Sequence, residues 1–278
     1  RNLADLIPLN SVWSGSPLAP CPFYPPDAPP LTQVASGSSP FRLNLHVDDV
    51  GHTLIFGPTG SGKSTLLALI AAQFRRYEGA QVFAFDKGNS ILPLTLAVDG
   101  NHYEIGGEAG EGAKLAFCPL SDLSTDTDRA WASEWIETLV SLQGVTVTPD
   151  HRNAISRQIG LMAGAPGRSL SDFVSGVQMR EIKDALHHYT VDGPMGQLLD
   201  AEQDSLTLGQ FQCFEIEQLM NMGERNLVPV LTYLFRRIEK RLTGAPSLII
   251  LDEAWLMLGH PVFRDKIRDW LKVRRTAN

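Results

Sequence analysis

The chain has 278 residues, 43% hydrophobic and 20% charged, with a formal net charge of −7; this is the composition of a folded globular protein of about two domains. The acidic balance excludes a surface that grips nucleic acid by bulk charge alone. Cys21, Cys118 and Cys213 stand far apart with no C-x-x-C pair, which excludes a disulfide framework or zinc site, and there is neither a signal-peptide pattern nor an apolar run long enough to span a membrane.

Residues 1–40 are proline-rich ("SPLAPCPFYPPDAPPL") and aperiodic, the composition of an extended linker. After them "PFRLNLH" alternates apolar and polar residues and "HTLIFG" is strand-like, predicting a strand pair that leads into "GPTGSGKST". That stretch comprises Gly57, Pro58, Thr59, Gly60, Ser61, Gly62, Lys63, Ser64 and Thr65, and it fits G-x-x-x-x-G-K-[ST] ahead of the helical run "TLLALIAAQF". Glycines let successive N–H groups point inward as an anion nest, and the nest opens into a helix N-terminus that favours negative charge. Lys63 is then expected to reach the β- and γ-phosphates of a nucleotide, and the Ser64 hydroxyl to ligate Mg²⁺.

"GAQVFAFD" predicts a buried strand that completes a β-α-β unit and ends in Asp86, and "HYEIG" a further short strand. From about Ser124 the pattern turns helical: "TDTDRAWASEWIETLVSLQ", "PDHRNAISRQIGLMAG", "SLSDFVSGV" and "EIKDALHHYT". "QFQCFEIEQL" predicts a return to strand, and "VPVLTYLFRRIEKRLTG" a long amphipathic helix. "PSLIILDEAWLML" predicts a buried strand running into Asp252 and Glu253. The expected organisation is an α/β nucleotide-binding core in two segments, 41–121 and 206–278, interrupted by an all-helical insertion at 122–205. At the strand's C-terminal edge Asp252 is placed to bind Mg²⁺ directly or through water, and Glu253 to orient and deprotonate an attacking water.

Other features read more plainly. "LTLGQ" (Leu206–Gln210) lacks the paired glycines of the ABC transporter signature and reads as chance. His187 and His188 point in different directions on a helix and suit solvent better than a metal. Arg236, Arg237, Lys240 and Arg241 form a basic face, by default solvated, with a subunit or DNA contact as the alternative. Trp131, Trp135 and Trp270 read as core or interface anchors.

The runs "PFRLNLHVDDVGHTLIFGPTGSGKSTLLALIAAQFRRYEGAQVFAFDKG", "RAWASEWIETL", "FEIEQLM" and "LIILDEAWLMLGHPVFRDKIRDWLKVRRTAN" together resemble the type IV secretion and conjugal transfer ATPases of the TrbE/CagE family, over nearly the whole chain. The resemblance implies a RecA-like P-loop NTPase core, a mostly parallel sheet flanked by helices, related to the HerA/FtsK group. It implies ATP and Mg²⁺ as ligands, a homo-oligomer (commonly a hexamer), and a cytoplasmic position on the bacterial inner membrane beside other secretion or conjugation components. ATP turnover there supports pilus biogenesis and transfer of DNA or protein; direct contact with nucleic acid is left open. By position, Lys63 and Glu253 take the catalytic roles, and Ser64 and Asp252 hold the metal. Asp86 is a candidate contact for a catalytic water or a neighbouring subunit, with a polar strand terminus as the alternative. Arg274 and Arg275 are candidates for a finger acting on a neighbour's γ-phosphate.

Two other functions compete. A DNA-translocating coupling protein of the HerA/FtsK group would usually show transmembrane segments or a basic pore loop, and a non-catalytic ATP-binding scaffold would not be expected to keep Lys63, Ser64, Asp252 and Glu253 together. The family's core continues with a strand ending in a γ-phosphate sensor, and it is preceded by an N-terminal domain. This chain runs from Arg1 to Asn278 without either, which reads as a fragment, truncated at its C-terminal end.

Overall fold

The computed structural model of the chain describes residues 31–36, 39–46, 51–107, 115–254, 263–265 and 267–268. Strands β1 (Thr32–Ser36) and β2 (Ser39–Leu43) form an antiparallel pair, so β1 falls inside the proline-rich stretch. Next come α1 (Lys63–Phe74), β3 (Gln81–Asp86), α2 (Leu92–Ala97) and β4 (Asn101–Glu104). Five helices follow: α3 (Asp126–Leu142), α4 (Pro149–Met162), α5 (Leu170–Gly176), α6 (Arg180–Leu186) and α7 (Gly196–Leu199). The chain then returns through β5 (Phe211–Glu215), α8 (Glu217–Asn221), α9 (Glu224–Arg241) and β6 (Ser247–Leu251).

Strands β4, β5, β3 and β6 pair in that order, all parallel. Parallel strands joined by helical crossovers are covered on both faces and therefore read as continuous apolar runs; every residue of β3 and β5 is buried. Val82, Ala84, Phe211, Cys213 and Ile250 face α1, through Ile70, Ala71 and Phe74, and Ile91 at the head of α2. Phe83, Phe85 and Phe214 face the other way, into one large core shared with Trp135, Phe173, Leu234 and Phe235 of the later helices. The result is an α/β fold of three layers in which the inserted helices and the sheet share a core. Because the strands are parallel, their C-terminal ends lie along one edge, and the register sets Asp86 beside Glu215 there.

Helices α3, α4 and α5 each start at a reciprocal capping box: Thr125 with Asp128, Thr148 with His151, and Ser169 with Asp172. Helix α9 starts ahead of its apolar run and contains Pro229. A proline there has no N–H for the carbonyl four residues back; Arg225 is that residue, and its carbonyl accepts the Tyr189 hydroxyl at 2.9 Å instead. Trp135, fully buried, donates its indole N–H to the Pro229 carbonyl at 3.1 Å. The insertion is thus stitched to α9 at the proline.

Two expectations are corrected. The basic residues of α9 are more than a solvated face: Lys240 and Arg241 stay exposed, yet all four cations have a partner within the chain. Arg236 pairs with Asp128 at 2.7 Å, Lys240 with Asp128 at 2.6 Å, and Arg237 with Asp204, while Arg241 donates to Gln81 at 3.1 Å. Arg236 also sits over the Trp131 ring. Burial raises the pKa of Asp128, but hydrogen bonds from Lys240, Thr125 and Arg236 outweigh it and hold the carboxyl well below its ordinary value. The second correction concerns "HTLIFG", which is irregular, with Leu54 and Phe56 exposed at 69% and 77%. A strand persists only where its N–H and C=O groups find a ladder, and among the described residues no strand pairs with this run.

Candidate nucleotide site

The loop before α1 is shaped by two left-handed glycines, Gly60 (φ 79°) and Gly62 (φ 86°), the latter the N-cap of α1. L-residues enter that region at a cost glycine does not bear. The cap makes no side-chain hydrogen bond, and the first turn of α1 carries no acidic residue. Its leading N–H groups and the positive end of the helix dipole are therefore left for an anion. Lys63 turns back over the loop and donates to the Gly57 and Pro58 carbonyls, at 3.0 Å each. Among the described residues no carboxylate pairs with this ammonium; a phosphate is a stronger partner than two carbonyl dipoles. Ser64 follows in the first turn, half-buried.

The second half lies at the C-terminal edge of the sheet. The Asp252 N–H donates to the Phe85 carbonyl at 2.9 Å, extending the β3–β6 ladder by one rung. One carboxylate oxygen of Asp252 accepts the Glu253 N–H at 3.0 Å, and the other faces the Ser90 hydroxyl at 3.4 Å. Glu253 is exposed and holds φ 53°, a left-handed backbone rare for a residue with a side chain. The two halves are connected through the smaller core, where Ile70, Ala71 and Phe74 of α1 meet Ile250 of β6.

Asp86 is fully buried. Its Oδ1 accepts from the Lys87 N–H at 3.0 Å and the Ser90 hydroxyl at 2.6 Å, and its Oδ2 from the Ile91 N–H at 2.8 Å. These are the surroundings of an anchored strand terminus. Glu215, which the sequence does not single out, is also buried and accepts the N–H groups of Asn89 at 2.7 Å and Glu217 at 2.9 Å. Its signal is the same as that of Asp86: an acidic residue closing a short, mostly apolar strand. Arg274, Arg275 and Trp270 lie outside the described residues.

As a donor set, the hydroxyl of Ser64 and the carboxylate of Asp252 suit a hard divalent cation that keeps waters and takes further oxygens from a triphosphate. No group of three or more His, Cys, Asp or Glu side chains forms a metal cage among the described residues; His188 instead pairs with Asn226 at 2.8 Å. Burial pushes Cys118 and Cys213 up to about 11 and about 12, which leaves both as inert thiols.

The family model described as ABC transporter matches residues 41–228, about two thirds of the chain. The chain is 84% identical to a conjugal transfer protein TrbE of Rhizobium radiobacter, over 100% of this chain and 34% of that protein. It is 84% identical to a probable conjugal transfer protein TrbE of Sinorhizobium fredii, over 100% of this chain and 42% of that one. It is 29% identical to the type IV secretion system protein virB4 of Bartonella henselae, over 86% of this chain and 31% of the relative. Among solved structures, VirB4 of Thermoanaerobacter pseudethanolicus shares the fold with a TM-score of 0.57 at 15% identity, covering 79% of this chain and 65% of that one. The chain thus spans roughly a third to two fifths of the length of the curated relatives it matches.

Proposed function

The chain belongs to the P-loop family that the ABC transporter model describes and is of the TrbE/VirB4 type; from that premise we propose that it is the ATP-hydrolysing portion of a type IV secretion or conjugal transfer motor. The observation that carries this reading is the pairing of an uncapped P-loop helix with an Asp-Glu strand end in one α/β core. Gly57 to Thr65 cradle the phosphates, and Lys63 leaves its loop carbonyls to pair with the β- and γ-phosphates. Ser64 and Asp252 hold Mg²⁺, which supplies charge neutralisation on the phosphate oxygens when bound. Glu253, exposed beside Asp252, takes the proton from the attacking water. Positioning and electrostatics of this kind, rather than covalent chemistry, carry phosphoryl transfer.

We further propose a homo-oligomer, a hexamer, on the cytoplasmic face of the inner membrane among other secretion components, a reading supported by the similarity to TrbE and virB4 proteins. No helix among the described residues is long and apolar enough to cross a membrane. The test is steady-state phosphate release with Mg²⁺, with Mg²⁺ chelated, and with added single-stranded DNA. The reading expects Mg²⁺-dependent turnover without DNA. Turnover that appears only with DNA favours a DNA-translocating coupling protein, and absence of turnover under all three conditions favours a scaffold.

A further inference from the structure

The loop between β3 and α2 is held from two adjacent strands. Asp86 takes the N–H groups of Lys87 and Ile91, and Glu215 takes that of Asn89. Asn89 itself stands in the left-handed region at φ 58°. This anchoring leaves the half-buried Ser90 in one place, with its hydroxyl between two carboxylates, 2.6 Å from Asp86 and 3.4 Å from Asp252. A serine hydroxyl has a single proton. At 2.6 Å the contact to Asp86 has the length of a charge-assisted hydrogen bond, whereas 3.4 Å exceeds the normal O–H···O range. The proton therefore lies chiefly toward Asp86, and Asp252 Oδ2 receives the long, weaker arm of the same hydroxyl. The Glu253 N–H holds the other oxygen of Asp252. One oxygen is fixed by a backbone donor, and among the described residues the other is faced by the Ser90 hydroxyl.

We infer that Ser90 is a positioning residue for Asp252: anchored by the buried Asp86, it sets the direction of the carboxylate that receives the metal. This rests on the reading of Asp252 as a metal ligand. Groups that orient a metal ligand from behind typically change metal affinity by about 10–100-fold when removed.

The test titrates Mg²⁺ into the protein with a fluorescent ATP analogue and compares each midpoint with analogue binding in EDTA. Ser90→Ala is expected to raise the Mg²⁺ midpoint about 10-fold, with metal-free affinity unchanged, and Ser90→Thr, which keeps the hydroxyl, to restore it. Should the alanine variant fail to fold, Ser90→Cys carries the test with the same expected rise. An unchanged midpoint overturns the inference, as does an equal fall of affinity in EDTA, which would mark Ser90 as merely structural. Asp252→Asn separates the two claims. If its midpoint rises while that of Ser90→Ala does not, this inference alone fails. If Asp252→Asn leaves the midpoint in place, the metal reading of the site fails with it.

Discussion

Glu253 combines exposure with a left-handed backbone, a conformation that costs on the order of 1 kcal/mol in a residue with a side chain. Strain of that size persists where the surroundings fix it; here the residue's own N–H is committed to Asp252. Glu253→Gln keeps the shape but cannot accept a proton from water. It is expected to bind Mg-ATP as the parent does, by equilibrium titration, while turnover falls by about 10²-fold or more. Binding lost together with turnover would make Glu253 a structural residue. The loop residues were legible from sequence because the G-x-x-x-x-G-K-[ST] pattern is local, each glycine serving its own backbone angle. Ser90 and Glu215 were not, because their meaning lies in partners 162 and 126 residues away.

Among the elements, α9 is tied to the insertion by charge, by a proline and by aromatic packing. The unfolded Asp128 carboxyl titrates near 4, and its folded value is lower. Its contribution to stability is therefore complete above about pH 4 and is lost as pH falls through the depressed folded value. Asp128→Asn should flatten the fall of urea-unfolding free energy below pH 4; an unchanged slope would assign acid sensitivity elsewhere. Tyr189→Phe should cost about 1–2 kcal/mol at neutral pH, because it orphans the Arg225 carbonyl that Pro229 has already freed. Thermal denaturation of the two proteins measures it, and equal stability would mean the carbonyl finds another partner. Sequence periodicity located these helices, with α9 starting a turn ahead of its apolar run. It did not show the intrachain partners of the α9 basic face, since helical spacing puts four cations on one face but cannot show that Asp122, Asp128 and Asp204 meet Arg236, Arg237 and Lys240. It also took "HTLIFG" for a strand, since β-propensity is no substitute for a ladder neighbour.

At the scale of the whole molecule, one sheet edge collects Asp86, Glu215 and Asp252, while α1 brings Lys63 and Ser64 through the smaller core. The α/β class and the helical run between β4 and β5 were readable from order along the chain. The sharing of one core between the inserted helices and the sheet was not, because it depends on which faces meet. If the proposed motor is an oligomer, Mg-ATP should shift sedimentation to a larger species, most persistently in Glu253→Gln, where the bound state accumulates. A constant sedimentation coefficient would argue for action as a single copy. The central claim, that Gly57–Thr65 and the Asp252–Glu253 end form one ATP-hydrolysing site, is tested most directly by the rate of Mg-ATP hydrolysis in the parent and in Lys63→Ala. Removing the ammonium should lower the rate by about 10²–10³-fold, or about 3–4 kcal/mol of barrier. A Lys63→Ala protein hydrolysing ATP at the parental rate would contradict the account.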